Sequence, residues 1–186
     1  MIKKTIFILA CALMELAPSG VITYAADQNR PKKIKVLLID GQNNHDWVRC
    51  SPVMMDTLNA TGRFSIDRST VTKPDIEKFN PNFADYDVVL SNYNGERWKK
   101  ETEEAFVKYI KEGGNLVVVH AANNSFPDWK EFNEMIGLGG WGGRNEKDGP
   151  YIYWKDGKIV KDHSKGRGGS HGKHWEYKVI IREKDH

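Results

Sequence analysis

The chain has 186 residues, 39% of them hydrophobic and 28% charged, the balance of an ordinary globular domain rather than of a fibrous or disordered chain. Its net charge is only +3 and the charges are evenly spread, which argues against nucleic acid or an anionic membrane surface as a partner. The two cysteines, Cys11 and Cys50, are too few for a disulfide framework.

The N-terminus reads as an export signal over residues 1–25. Lys3 and Lys4 form a basic start, "TIFILACALM" is an apolar stretch, and Thr23 and Ala25 place small residues before a cleavage point after Ala25. Glu15 and Pro18 interrupt the apolar run, leaving it too short to span a bilayer. The expected destination is the periplasm or the exterior, with no membrane association beyond export. "ILAC" at Cys11 is a poor acylation site because of Leu9, so a lipoprotein is not expected. Cleavage would leave Cys50 alone, unable to form an internal disulfide, so stability must come from the core.

Residues 26–33, "ADQNRPKK", read as a polar linker, and the domain proper as residues 34–186. "IKVLLID" is a continuous apolar run, the mark of a strand buried on both faces. "SPVMMDTLNATG" predicts a helix capped by Ser51, with Pro52 in its first turn and Gly62 closing it. "FSIDRS" is a second strand, "PDIEKFNPNFADY" a connection holding at most a helical turn, and "DVVLSNY" (87–93) a third strand. "KKETEEAFVKYIKEGG" is the clearest helix, with Ala105, Phe106, Tyr109 and Ile110 on one face and Gly113–Gly114 at its end. "NLVVVHAANNS" (115–125) reads as the strongest and most buried strand, "DWKEFNEMIG" as a short amphipathic helix, and "YIYWKDGKIV" as a hairpin about Asp156–Gly157. After the glycine- and histidine-bearing loop "SKGRGGSHGKHW", "EYKVIIREKDH" begins one more strand.

Uniformly apolar strands alternating with helices predict an α/β protein with a parallel sheet covered on both faces. Ligands gather beyond the C-terminal strand ends of such sheets. The first strand ends in Gln42–Asp46, the third in Asn92–Asn94 and the fourth in His120–Asn124, so three polar tips are expected at one sheet edge. His45 and His120 are the candidates for proton transfer there, because imidazole titrates near neutrality. Each also has an ordinary reading as a hydrogen-bonding loop or core histidine.

"SHGKH" places His171 and His174 in a glycine-rich loop, so His45, His120 and His171 form an alternative, metal-ligating set. Trp141 and Arg144 of "GGWGGR" suit a sugar face and its polar groups; packing of a surface loop is the competing explanation. That segment is not a phosphate loop, since no Gly-Lys-Ser/Thr follows. No Gly-x-Ser-x-Gly or Gly-x-Cys-x-Gly elbow follows a strand, and Cys50 has no evident neighbouring base, so a covalent nucleophile is not expected.

"IDGQNNHDW", "GGNLVVVHAANNSFPDW", "GGWGGR", "DGKIVKDHSKGRGGSHG" and "REKDH", in that order, resemble the ThuA-like, trehalose-utilisation family. The resemblance runs from about Ile34 to the last residue. It implies a class I glutamine amidotransferase-like fold, that is, a flavodoxin-like parallel sheet flanked by helices, and a role in carbohydrate catabolism. It implies that His45, His120, Trp141, Arg144 and His171 share a cleft. It also implies that His120–Ala121–Ala122 stands where amidotransferases carry their cysteine, so glutamine hydrolysis is not expected. Family members continue past a point like this chain's final residues, so the domain is expected to be incomplete at its C-terminus.

The resulting expectation is an exported protein acting on a small carbohydrate, a sugar or keto-sugar, by hydrolysis, elimination or isomerisation. His45 and His120 would handle protons and Asp46 would complete the catalytic set. Asn44, Asn92, Asn123, Trp141, Arg144 and His171 would contact the sugar. No cofactor is required, although a divalent metal fits the histidine-rich alternative. The competing classes are a non-catalytic sugar-binding module and a metal-dependent hydrolase.

Overall fold

A computed structural model of the chain describes residues 32–137, 139–168 and 173–181. The expected export signal, most of the linker, His171 and the "REKDH" end lie outside the described residues.

Four strands form one parallel sheet: β1 (Ile34–Asp40), β2 (Phe64–Thr70), β3 (Val88–Ser91) and β4 (Asn115–Val118), in the order β2-β1-β3-β4. The register sets Val36 against Val88 and Ile39 against Ser91 on one side of β1, and Asp40 against Thr70 on the other. Helices cover both faces, which explains the unbroken apolar run of β1. Val36 and Leu38 pack with Leu90 against Met54, Met55 and Leu58 of helix α1 (Trp47–Ala60). Leu37, Ile39 and Val89 lie in a second cluster with Phe106 and Tyr109 of α2 (Lys100–Lys111) and Phe132 of α3 (Lys130–Ile136). The sheet is therefore the flavodoxin-like α/β arrangement the sequence predicts. A separate two-stranded sheet, β5 (Tyr151–Lys155) and β6 (Lys158–Asp162), is the expected hairpin, turning through Asp156 and Gly157 at positive φ.

The second cluster is mostly aromatic. Trp98, 4% exposed, is its centre: the rings of Phe79, Phe126 and Phe106 lie 4.9, 5.4 and 5.7 Å from it, all edge to face. Each such pair adds about 0.5–1.5 kcal/mol beyond the area it buries. Trp98, Trp129, Tyr93 and Tyr109 are core residues, so these four large aromatics serve packing.

Three local expectations are corrected. Helix α1 begins a turn earlier than predicted, because the Asp46 carboxylate accepts the Arg49 N–H at 3.2 Å and caps it; Ser51 and Pro52 lie inside. Pro52 lacks the N–H that would reach the Val48 carbonyl, and Val48 is an exposed residue. Strand β4 is not the most buried strand. It pairs only with β3, it is an edge strand among the described residues, and Val117 is 49% exposed. Its apolar run records suitability for burial, not lateral position in the sheet. Finally, residues 173–181 form no strand. No described strand lies alongside to pair with them, and Trp175, Tyr177 and Val179 stay exposed. Among the described residues, no helix is long and apolar enough to cross a membrane.

One charge is fully buried at the end of β1. Asp40, 0% exposed, accepts from Arg68 Nε at 2.8 Å and Thr70 Oγ1 at 2.8 Å, both from β2. Removing the cation strands the carboxylate in the core. Arg68→Met is expected to cost about 3 kcal/mol in urea unfolding, the low end for breaking a buried pair because Arg68 keeps 28% of its side chain in solvent. Tyrosine burial gives a second prediction. Burial raises the pKa of Tyr93, and also of Tyr86 and Tyr109. The native state then keeps protons that the unfolded chain releases, so stability is fully present below pH about 10 and falls above it. Urea midpoints across that range should decline, and Tyr93→Phe should flatten the decline.

Candidate functional site

The polar tips of β1, β3 and β4 do meet. Strand β1 leaves the sheet through Gly41, whose φ is +112° and where a Cβ would stand 2.5 Å from the Val71 backbone nitrogen; only glycine can make this exit. The residues after it are fixed by amide side chains. Asn43 Nδ2 donates to the backbone oxygen and to Oδ1 of Asn92, each at 3.1 Å, and Asn43 Oδ1 accepts the His45 N–H at 2.9 Å. Asn92, buried after β3, donates through Nδ2 to Ser51 Oγ at 3.1 Å. Asn94 Nδ2 donates to Asn44 Oδ1 at 2.8 Å. Gln42 Nε2 donates to Tyr93 Oη at 3.0 Å, and that hydroxyl donates to the Glu96 carbonyl at 2.8 Å. Ser125, beyond β4, donates to the Tyr93 carbonyl at 2.6 Å. Each strand tip is thus tied to its neighbour.

His45 and His120 emerge on this scaffold with ring centroids 5.0 Å apart and planes inclined by 53°. Both residues are exposed. His120 Nδ1 lies 2.8 Å from Asn123 Oδ1. His120 and Asn123 form the polar end of an open cleft of about 490 Å³ whose other walls are Leu116, Val118, Met135 and Ile136. The peptide bond between His120 and Ala121 is cis. A larger cavity of about 830 Å³ runs along α2 beside Arg97, Trp98 and Trp129 and contains neither histidine.

The remaining sequence-selected residues are placed as follows. Asp46 caps α1 and shares no hydrogen bond with His45. The Asn92 amide is used inside the scaffold. Asn44 is exposed beside His45 in the chain, bonded to Asn94. Trp141 and Arg144 are half-buried and form one unit: the guanidinium lies 4.8 Å from the indole centroid, and Nη1 donates to the Gly139 carbonyl at 3.0 Å. Their segment meets the histidine turn through Gly140, whose N–H donates to the Asn123 carbonyl at 2.8 Å. Cys50 is free and exposed. Among the described residues, no group of three or more His, Cys, Asp or Glu side chains could hold a metal ion.

Asn43, Asn94 and Ser125 are the residues that sequence reasoning did not single out. The signal was present as strand-terminal Asn–Asn and Asn–Ser runs, whose side chains bond neighbouring backbone.

A parallel sheet with two imidazoles at the carboxyl ends of its strands defines a flavodoxin-like α/β protein with its candidate site at the strand tips. The chain matches the family described as ThuA, trehalose utilisation, over residues 35–182, and it belongs to that family. Among solved structures it is similar to a protein of Parabacteroides merdae ATCC 43184 described as ThuA-like, with 49% identity and a TM-score of 0.72, over 76% of this chain and 51% of that one. A second protein described as ThuA-like, from Bacteroides uniformis ATCC 8492, matches at 22% identity and a TM-score of 0.45 over 70% of this chain and 52% of that one. The chain therefore spans about half the length of the solved structures it matches. No curated protein matches it.

Asn43 is the residue that holds the His45 loop to β3. Asn43→Ala deletes three hydrogen bonds and should cost about 1–3 kcal/mol in denaturant unfolding. It should also shift the His45 ring-proton resonances. Unchanged His45 resonances would show that the loop is held by other means.

Proposed function

We propose that the His45–His120 pair is the proton-transfer centre of an exported carbohydrate-processing protein, acting on a sugar or an oxidised, keto-sugar derivative. The observation that carries this reading is the 5.0 Å approach of two solvent-facing imidazoles at the confluence of three strand tips. Two such rings can act in opposite senses, one taking a proton while the other delivers one. That division suits the three reactions considered. In an elimination beside a ketone, one imidazole removes the proton α to the carbonyl and the other protonates the departing glycosidic oxygen. In isomerisation the same pair moves a proton between carbons, and in hydrolysis it activates water and protonates the leaving group.

Membership of a family described by trehalose utilisation supports the substrate class. The exposed amide of Asn44, together with Trp141 and Arg144, supplies groups suited to hydroxyls and to an apolar sugar face. Export rests on the Lys3–Lys4 start and the short apolar stretch after it.

The test uses the longest available form of the protein with trehalose and its 3-keto derivative as probes. His45→Ala and His120→Ala should each lower turnover by about 100-fold or more while thermal unfolding is little changed. Equal turnover by wild type and both variants would remove the pair from the chemistry. Sugar binding without any product would favour a binding module.

A further inference from the structure

We infer that Asn123 is a positioning residue that holds His120 in a single tautomer, with its proton on Nδ1 and its lone pair on Nε2, and that Gly140 holds Asn123 in place. The mechanistic consequence rests on the proton-transfer reading above; the tautomer itself does not.

His120 Nδ1 lies in hydrogen-bond contact, 2.8 Å, with Asn123 Oδ1. An amide oxygen can only accept, so the ring nitrogen facing it must carry the proton. A neutral imidazole has one proton, which leaves Nε2 as its only basic atom. The contact is local. A single turn at residues 122–124 follows β4 and brings the side chain of Asn123 back to the ring three residues before it.

What fixes the amide is the glycine segment. Gly140 donates its N–H to the Asn123 carbonyl at 2.8 Å. A Cβ on Gly140 would lie 2.5 Å from Asn123 Nδ2 and 2.5 Å from Asn124 Oδ1, so a side chain there would push these amide ends aside. The nitrogen edge of the amide is therefore seated on a glycine backbone while its oxygen edge faces the imidazole. A side chain there would displace the Asn123 amide from its place, which gives "GGWGGR" a role distinct from that of Trp141 and Arg144. The His45 ring lies against the His120 ring, and among the described residues no ion pair involves either histidine. The partner of His120 is thus neutral: it orients the base without placing a negative charge beside the imidazolium that forms.

The experiment is long-range proton–nitrogen NMR of the ¹⁵N-labelled full chain, with His120 assigned from the signals missing in His120→Gln. At pH about 8 the wild type should show Nδ1 protonated and Nε2 bare. Asn123→Ala should give signals averaged between the two tautomers, and Gly140→Ala should move them the same way. Asn123→Asp, nearly isosteric and suited to folding, should keep the tautomer, because its carboxylate accepts from the same Nδ1–H. With a turned-over keto-sugar, Asn123→Ala should lower kcat by about tenfold or more with KM within about twofold. A wild-type ring protonated on Nε2, or a tautomer unchanged in Asn123→Ala, would overturn the inference. A fixed tautomer together with full turnover by His120→Ala would uphold the positioning role and defeat only the proton-transfer reading.

Discussion

Strand β1 is covered on both faces and paired on both edges, so its polar groups can emerge only at its end. Leu38 and Ile39 are completely buried, and the next residue, Asp40, is charged before the chain is clear of the core. Asp40 is compatible with that place because Arg68 and Thr70 of the neighbouring strand bond it. Beyond it the parallel arrangement brings β1, β3 and β4 to the same edge, since parallel strands share a direction. The concentration of Gln, Asn and His there follows from this geometry. Polar residues excluded from the strand interiors collect where the strands stop, and there they bond one another.

The aromatic cluster beneath that edge determines how firmly the histidine turn is held. Phe126, the residue after Ser125, has a φ of 55°, a conformation costing a bulky side chain about 1–3 kcal/mol. Its ring is 2% exposed and touches those of Tyr93, Trp98, Trp129 and Phe132. The packing energy of a buried phenylalanine, about 1.5–3 kcal/mol, is enough to offset that strain. The backbone leaving Asn123 and Asn124 is thereby held by the core and not only by hydrogen bonds of its own. The core and the candidate site are consequently one mechanical unit: Tyr93 contributes its ring to the cluster and its carbonyl to Ser125.

Much of this was legible in the residues, for reasons that differ from element to element. The unbroken apolar run 36–39 reads as a strand buried on both faces, and with helices between strands it points to the parallel sheet and the edge where His45 and His120 meet. The Asp156–Gly157 turn announced its hairpin by local chemistry. What could not be read was anything depending on lateral neighbours. The apolar segment 116–119 does not disclose that it borders the sheet among the described residues, and "EYKVII" does not disclose whether a partner strand lies beside it. The start of helix α1 is not legible locally, because Ser51–Pro52 is a good helix opening in isolation. The better cap, Asp46, lies inside the polar run that also carries His45. Asn43 and Asn123 went unrecognised as structural supports because an asparagine that binds a ligand and one that braces a loop are the same letter.

That ambiguity bears on what the edge can do. The groups surrounding the two imidazoles are mainly amides, and an amide donates and accepts without carrying charge. A carboxylate in place of Asn123 would set a negative charge beside the ring, whereas a neutral partner fixes its orientation without one. The same neutrality suits a substrate recognised by hydroxyls, because each hydroxyl also donates and accepts. The charged groups at this edge are paired or committed elsewhere: Asp40 bonds Arg68 and Thr70, Asp46 caps α1, and Arg144 donates to the carbonyl of its own loop. An edge built this way presents mainly neutral donors and acceptors, which is the chemical sense in which the proposed site and the family's description, trehalose utilisation, agree.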